Sequence, residues 1–152
     1  MSGGGDDPPV DGRDMPPKDL PVERQAAALA WLPQPLRFVL VTSRRTRRWI
    51  FPKGGIEDGL DGPATAVREA WEEAGVIGPA ESSSIGSYRS RKVRPPRAWA
   101  LEIDVFPVAV REIRDHWPES SERARRFVTV EEARTLLRDP EMLRIAERFA
   151  RR

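Results

Sequence analysis

The stretch from Gly54 to Val76, GGIEDGLDGPATAVREAWEEAGV, constrains this chain more than any other. Two adjacent glycines open it, a loop with Gly59 and Gly62 follows, and Pro63 and Gly75 bracket a run with helical spacing. Proline suits the first turn of a helix, where its missing N–H is not needed, and glycine suits the left-handed position just past the end. At ~100° per residue, Ala66, Val67, Ala70, Trp71 and Ala74 gather on one side, which predicts the core face. Glu69, Glu72 and Glu73 gather on the opposite side, within an arc of about 100°. Carboxylates at i, i+3 and i+4 repel by roughly 0.2–0.5 kcal/mol per pair in a bare helix. Either water solvates this face, or a divalent cation sits among the acids.

The segments on either side read as strands and two more helices. RQAAALAWL from Arg24 and LRFVLVTS from Leu36 flank a turn at Pro33–Pro35. Alanine favours helix by propensity, but the short run and its bracketing prolines predict strand. Trp49-Ile50-Phe51 is a short apolar run ended by Pro52-Lys53-Gly54-Gly55, and residues 56–63 read as loop. SIGSYRSRK and AWALEIDVFPVAV are strand-like, with Val93–Arg97 between them, and Arg125–Val130 is a short strand candidate. Thr129 is placed to cap a helix over EEARTLLR, and Asp139-Pro140 to start one over EMLRIAERFA. The expected class is α+β, an α/β/α sandwich around a mixed sheet. Residues 1–22, rich in Gly, Pro and Asp, read as a disordered N-terminal tail, and residues 23–152 as a single domain.

Composition removes several chemistries. There is no cysteine, so no disulfide and no thiolate, and the single histidine, His116, rules out a multi-histidine metal site. No apolar run is long enough to span a membrane, and the N-terminal residues do not form a secretory signal, so a cytoplasmic protein is expected. The net charge of +2 is unevenly distributed. Six basic residues and no acid lie between Arg37 and Lys53, and five basic residues and no acid between Ser84 and Leu101. The acidic helix lies between these blocks. A metal site that takes a polyanion needs such a layout, although solvated strand faces would also produce it.

The Gly54–Val76 run resembles the Nudix box: Gly, five residues, Glu, seven residues, then Arg-Glu-apolar-any-Glu-Glu-any-Gly-apolar. Every prescribed position matches except one, where Leu60 stands in place of the first Glu. Glu57 and Asp61 are the acids near enough to take over its part in the loop. The resemblance implies a hydrolase of diphosphate linkages that uses Mg²⁺, with Mn²⁺ as a possible substitute. It implies that Glu72 and Glu73 are metal ligands and that Glu69 is a ligand or the base acting on water. Arg68 would orient Glu69, and Gly54 and Gly55 would let the loop run close to helix and substrate.

Outside the box, three features are similar to the diphosphoinositol polyphosphate phosphohydrolase branch. These are Thr42-Ser43-Arg44 with Arg48-Trp49-Ile50, Arg97 ahead of its strand, and Trp117-Pro118-Glu119 followed by Arg123–Phe127. On that similarity Ser43, Arg44, Lys53, Arg97, Arg123 and Arg125 are the expected phosphate contacts. Charge alone puts Arg94 and Arg126 beside them. Glu119 is either a further carboxylate near the metal or a surface acid after a turn, while Trp99 and Trp117 read as core. The expected partner is a small polyphosphorylated molecule, an inositol pyrophosphate or a dinucleoside polyphosphate. Two alternatives stay open: a hydrolase of nucleoside triphosphates or RNA 5′ ends, and a non-catalytic module that binds nucleic acid or other anions.

Overall fold

The computed structural model describes residues 19–152. Most of the expected tail, residues 1–18, therefore lies outside the described residues. Within the described part of it, Leu20 is 3% exposed and Pro21 O accepts a hydrogen bond from Ala100 N, so these residues pack on the domain.

Strand β1 (Val22–Leu32) is the centre of the molecule. Ala26 to Ala30 are all fully buried, so both faces of this strand are covered. That explains how a run of good helix formers ends up in a sheet: Ala26, Ala28 and Ala30 are small enough for α1 to pack closely on one face, while Leu29 fills the other. Along one edge β1 runs parallel to β7 (Arg97–Ala109), which pairs antiparallel with β6 (Gly86–Arg94). Along the other edge its partner changes. Trp31 and Leu32 pair with β2 (Arg37–Thr42), Ala28 N donates to Pro52 O, and Gln25 to Ala27 pair with β4 (Lys53–Gly55). Strand β2 diverges from β1 at this point, with β3 (Trp49–Ile50) and β9 (Arg125–Val128) paired to it. Among the described residues this makes a seven-stranded mixed sheet, with a separate two-stranded ribbon of β5 (Val76–Ile77) and β8 (Glu112–Ile113).

Helix α1 (Gly62–Ala74) covers one face, its Ala66, Ala70 and Ala74 packed with Ala26, Ala28, Ala30, Val39 and Val41. Helices α2 (Val130–Leu136) and α3 (Pro140–Ala150) cover the other, through Leu137, Met142, Ile145 and Phe149 against Leu29, Phe38 and Leu40. The expected α+β sandwich with a mixed sheet is the fold observed. The caps follow the sequence. Thr129 forms a reciprocal capping box with Glu132, Asp139 caps α3 ahead of Pro140, and Gly75 closes α1 at φ 67°. Asp61 is the N-cap of α1, accepting from Ala64 N at 2.8 Å, so that helix starts one residue before Pro63.

The expected core face of α1 needs correction. The buried stripe runs through Thr65, Ala66, Glu69, Ala70, Glu73 and Ala74, while Val67 and Trp71 are only half-buried. Two of the three glutamates thus lie on the face turned to the sheet.

Candidate active site

Where β2 leaves β1, a cleft of about 1050 Å³ opens between α1, β4, the β6–β7 hairpin and the α2–α3 junction. Its acidic wall holds Glu69, Glu73 and Glu119. The same cleft is lined by Arg44, Arg45 and Arg48 from the β2–β3 turn, Arg91, Lys92 and Arg94 from β6, and Arg138. A smaller cleft at its mouth is lined by Arg44, Arg45, Arg94 and Pro95. The two basic blocks of the sequence therefore meet across one cavity, with the acids of the box between them.

Glu69 is 7% exposed, and its carboxylate lies directly over the backbone of Gly54. A β-carbon at Gly54 would stand 2.5 Å from Glu69 Cδ, so glycine is required here for close approach rather than for an unusual φ. Arg68 reaches Glu69 at 3.3 Å and Glu57 at 2.8 Å, with Glu72 at 3.8 Å one turn along the helix. Glu57 is thus the loop acid that engages the box arginine, while Asp61 is occupied in capping α1. Glu72 is half-exposed and does not line the cleft.

Glu73, 5% exposed, accepts from Lys53 N at 3.1 Å and from Arg123 at 3.0 Å. The Arg123 side chain is 6% exposed and each of its three nitrogens donates once: to Glu73, to Glu119 at 2.7 Å and to Thr42 O at 3.0 Å. Burial raises the Glu69 carboxyl above the ordinary range, and Glu72 adds to this, against Arg68. Burial pushes Glu73 up to about 8 although Arg123 and the Lys53 N–H oppose it. Carboxylates that resist ionisation in the bare fold gain most from a cation beside them.

Among the described residues no three acids or histidines converge on a common point, since Glu69 and Glu73 are turned to Arg68, Arg123 and Lys53. The donor set of Glu69, Glu73 and Glu119 nonetheless suits a hard divalent cation, being all carboxylate and in excess of the one guanidinium buried among it.

Ser43, Arg44, Lys53, Gly54 and Gly55 line the cleft, and so does Arg123. Ser43 is hydrogen-bonded to Thr46 in the β2–β3 turn, and Arg44 pairs with Glu122 at 3.0 Å. Burial lowers the Lys53 ammonium pKa, against the pull of Glu73 and Glu23.

Two expected phosphate contacts lie elsewhere. Arg97 is exposed at the hairpin tip and does not line the cleft, where residues 90–94 of the partner strand do. Arg125 donates to Ala74 O at 2.9 Å and Arg114 O at 2.8 Å, and stacks on Trp117 at 4.2 Å. It is a clamp on the end of α1, where carbonyls without helical partners carry partial negative charge. Trp117 completes the clamp, donating to Glu73 O at 3.0 Å and packing where a Gly75 β-carbon would stand.

The reading of the sequence missed Glu23, Gln25 and Lys92, which also line the cleft. Gln25, 5% exposed, joins Lys53 to Glu23 at 2.8 and 2.7 Å, and Lys92 holds Glu23 at 2.9 Å. The available signal was Glu23 and Gln25 two apart, on one face of a strand otherwise apolar.

The family model described as NUDIX domain matches residues 23–149. The chain belongs to the NUDIX family. Nudix hydrolase 12, mitochondrial, of Arabidopsis thaliana is 36% identical over 120 residues, covering 76% of this chain and 59% of the relative. Diphosphoinositol polyphosphate phosphohydrolase 3-beta of Bos taurus is 35% identical over 94 residues, covering 60% of this chain and 54% of the relative. The chain thus spans somewhat over half the length of these relatives. In fold it is similar to a NUDIX hydrolase from Nitrosomonas europaea, with a TM-score of 0.68 at 18% identity over 85% of this chain and 88% of that one. It is also similar to the C. elegans Ap4A hydrolase, with a TM-score of 0.60 at 17% identity over 86% and 97%.

Proposed function

We propose that this NUDIX protein hydrolyses a phosphoanhydride bond in a small polyphosphorylated substrate, using Mg²⁺ or Mn²⁺. The observation that carries the reading is the single cleft in which buried carboxylates face arginines and lysines. Glu69, Glu73 and Glu119 would hold the cation, with Glu72 at the margin of the cluster. When bound, such an ion neutralises charge on phosphoryl oxygens and makes water easier to deprotonate.

The chain's own residues supply the rest. Glu69, raised by burial, takes the proton from the attacking water and is kept in place by Arg68. Lys53 holds a phosphoryl oxygen beside the acids. Arg44, Arg45, Arg48 and Arg94 hold the more distant anionic groups, which guanidinium forks bind well. This density of cations favours a diphosphoinositol polyphosphate, in keeping with the name of the bovine relative.

A dinucleoside polyphosphate is the second reading, favoured by an apolar lobe of the same cleft. Trp49 and Ile50, both half-buried, line it above the core residues Leu101 and Met142 and offer a surface for a base. The test is turnover with Mg²⁺ of a diphosphoinositol polyphosphate, diadenosine polyphosphates, nucleoside triphosphates, ADP-ribose and 5′-triphosphorylated RNA, with Glu69→Gln alongside. Hydrolysis lost in the variant supports the enzyme, and the preferred substrate decides between the readings. Absence of turnover, combined with salt-sensitive RNA binding, would establish a binding module instead.

A further inference from the structure

We propose that Gln25 and Glu23 are positioning residues that aim the Lys53 ammonium at the substrate; this rests on the polyanion cleft proposed above. The cleft floor carries a hydrogen-bonded chain of four side chains. Lys53 Nζ donates to Gln25 Oε1 at 2.8 Å, and Gln25 Nε2 donates to Glu23 Oε2 at 2.7 Å. Lys92 Nζ donates to the other carboxylate oxygen, Glu23 Oε1, at 2.9 Å and lies over the Trp99 ring at 5.0 Å.

The chemistry fixes the direction of every bond. An ammonium can only donate and a carboxylate can only accept, so the amide must turn its oxygen to Lys53 and its nitrogen to Glu23. An amide is the side chain that satisfies both neighbours. Glutamate at 25 would face Glu23 as a like charge, and leucine would take away the Lys53 acceptor and leave Glu23 held by Lys92 alone.

The arrangement matters because of what each residue does with its remaining valence. Gln25 is 5% exposed and sits on β1, whose backbone at this point pairs with Gly55 of β4 and Ile103 of β7. It is therefore a fixed post. Lys53 is on β4 opposite Ala27, two residues along the ladder from Gln25, and its backbone N–H is fixed to Glu73. A lysine stem has four rotatable bonds, so an ammonium without a tether samples many positions. Gln25 takes one of its three donors and leaves the other two for the cleft. Glu23 orients the amide, and Lys92 orients Glu23. A phosphoryl group lying against Glu69 and Glu73 then meets a cation already in position rather than one that must be ordered on binding.

The test is the affinity for inorganic tripolyphosphate, measured by titration calorimetry in chelator, so that it does not depend on turnover. Four chains are compared: wild type, Gln25→Leu, Lys53→Met and the double variant. The expected result is binding weakened about tenfold by Gln25→Leu, the loss expected of a hydrogen bond to a charged group, and less than about twofold further weakening when Lys53→Met is already present. Glu23→Gln, at a part-exposed position the fold tolerates easily, is expected to weaken binding by about threefold. If the preferred substrate is hydrolysed, Gln25→Leu should raise KM and leave kcat within about threefold, the mark of lost binding rather than lost chemistry. Equal effects of Gln25→Leu with and without Lys53 overturn the proposal, as does wild-type affinity in both Gln25→Leu and Glu23→Gln. Failure of the wild-type chain to bind tripolyphosphate also overturns it. A chain that binds as expected but hydrolyses nothing leaves the positioning intact and removes only the enzymatic reading.

Discussion

Alanine at Gly54 adds one methyl group where the Glu69 carboxyl of α1 lies over strand β4. The ideal β-carbon lies 2.5 Å from Glu69 Cδ and 2.6 and 2.8 Å from its two oxygens. An unstrained carbon–carbon contact is about 3.5 Å, so the Glu69 carboxyl must retreat by ~1 Å. A flexible side-chain end can do so for roughly 0.5–1.5 kcal/mol of rotamer strain. Gly54 has no positive φ, so alanine also reduces unfolded-state freedom by about 0.4–1 kcal/mol, which offsets much of that strain. The fold should barely notice, with the melting temperature within about 3 °C of wild type. Activity should not escape, because ~1 Å of misplacement at a reacting group costs on the order of 100-fold. The assay is kcat on the preferred phosphoanhydride substrate together with a thermal melt. Gly55→Ala is the comparison, since its β-carbon would meet Glu23 at an ordinary 3.5 Å, and it should lose at least tenfold less. A kcat for Gly54→Ala within about threefold of wild type, or equal damage from Gly55→Ala, would refute the argument.

Arg123→Met leaves Glu73, Glu119 and Thr42 O without their buried donor and should cost roughly 3–5 kcal/mol in urea unfolding; a loss below about 1 kcal/mol contradicts this. Gly78→Ala, whose β-carbon would stand 1.8 Å from the backbone oxygen of Ala109, has no flexible neighbour to displace, so it should destabilise by at least about 1–3 kcal/mol, visible as a lowered melting temperature. In chelator, stability should fall as pH rises from the unfolded value of 4.5 to the folded value of about 8 for Glu73, because in that window the native state holds a proton the unfolded chain has released. Glu73→Gln should flatten that part of the pH–stability curve, and an unchanged slope would show that another group sets it.

The parts of this fold that are legible in the sequence are those decided by neighbours along the chain. Thr129, Asp139-Pro140 and Gly75 each satisfy a helix end within a few residues, so their pattern suffices to place α2, α3 and the end of α1. The box also carries its own spacing. The helix wheel misled because it sorts residues by polarity. Here Glu69 and Glu73 are drawn inward by Arg68, Arg123 and the Lys53 N–H, two of which come from distant segments. The same holds for Arg125, where one more arginine in a basic run is indistinguishable from its neighbours until α1 ends beside it. Strand β4 looks in sequence like the end of an apolar run because its three residues include two glycines, and pairing with β1 is what makes it a strand.

Glu119 and Arg123 ride on the same turn-rich segment between β8 and β9, tied to each other one turn apart and to the rest of the site through Glu73 and Thr42. Lifting that segment would carry Glu119, Glu122 and Arg123 away together, so Arg44 would lose its partner as well. Glu73 would then lose its buried guanidinium partner and Thr42 O its donor. The position of this segment therefore bears on how readily Glu73 ionises, because the Arg123 it carries is what most opposes the effect of burial there.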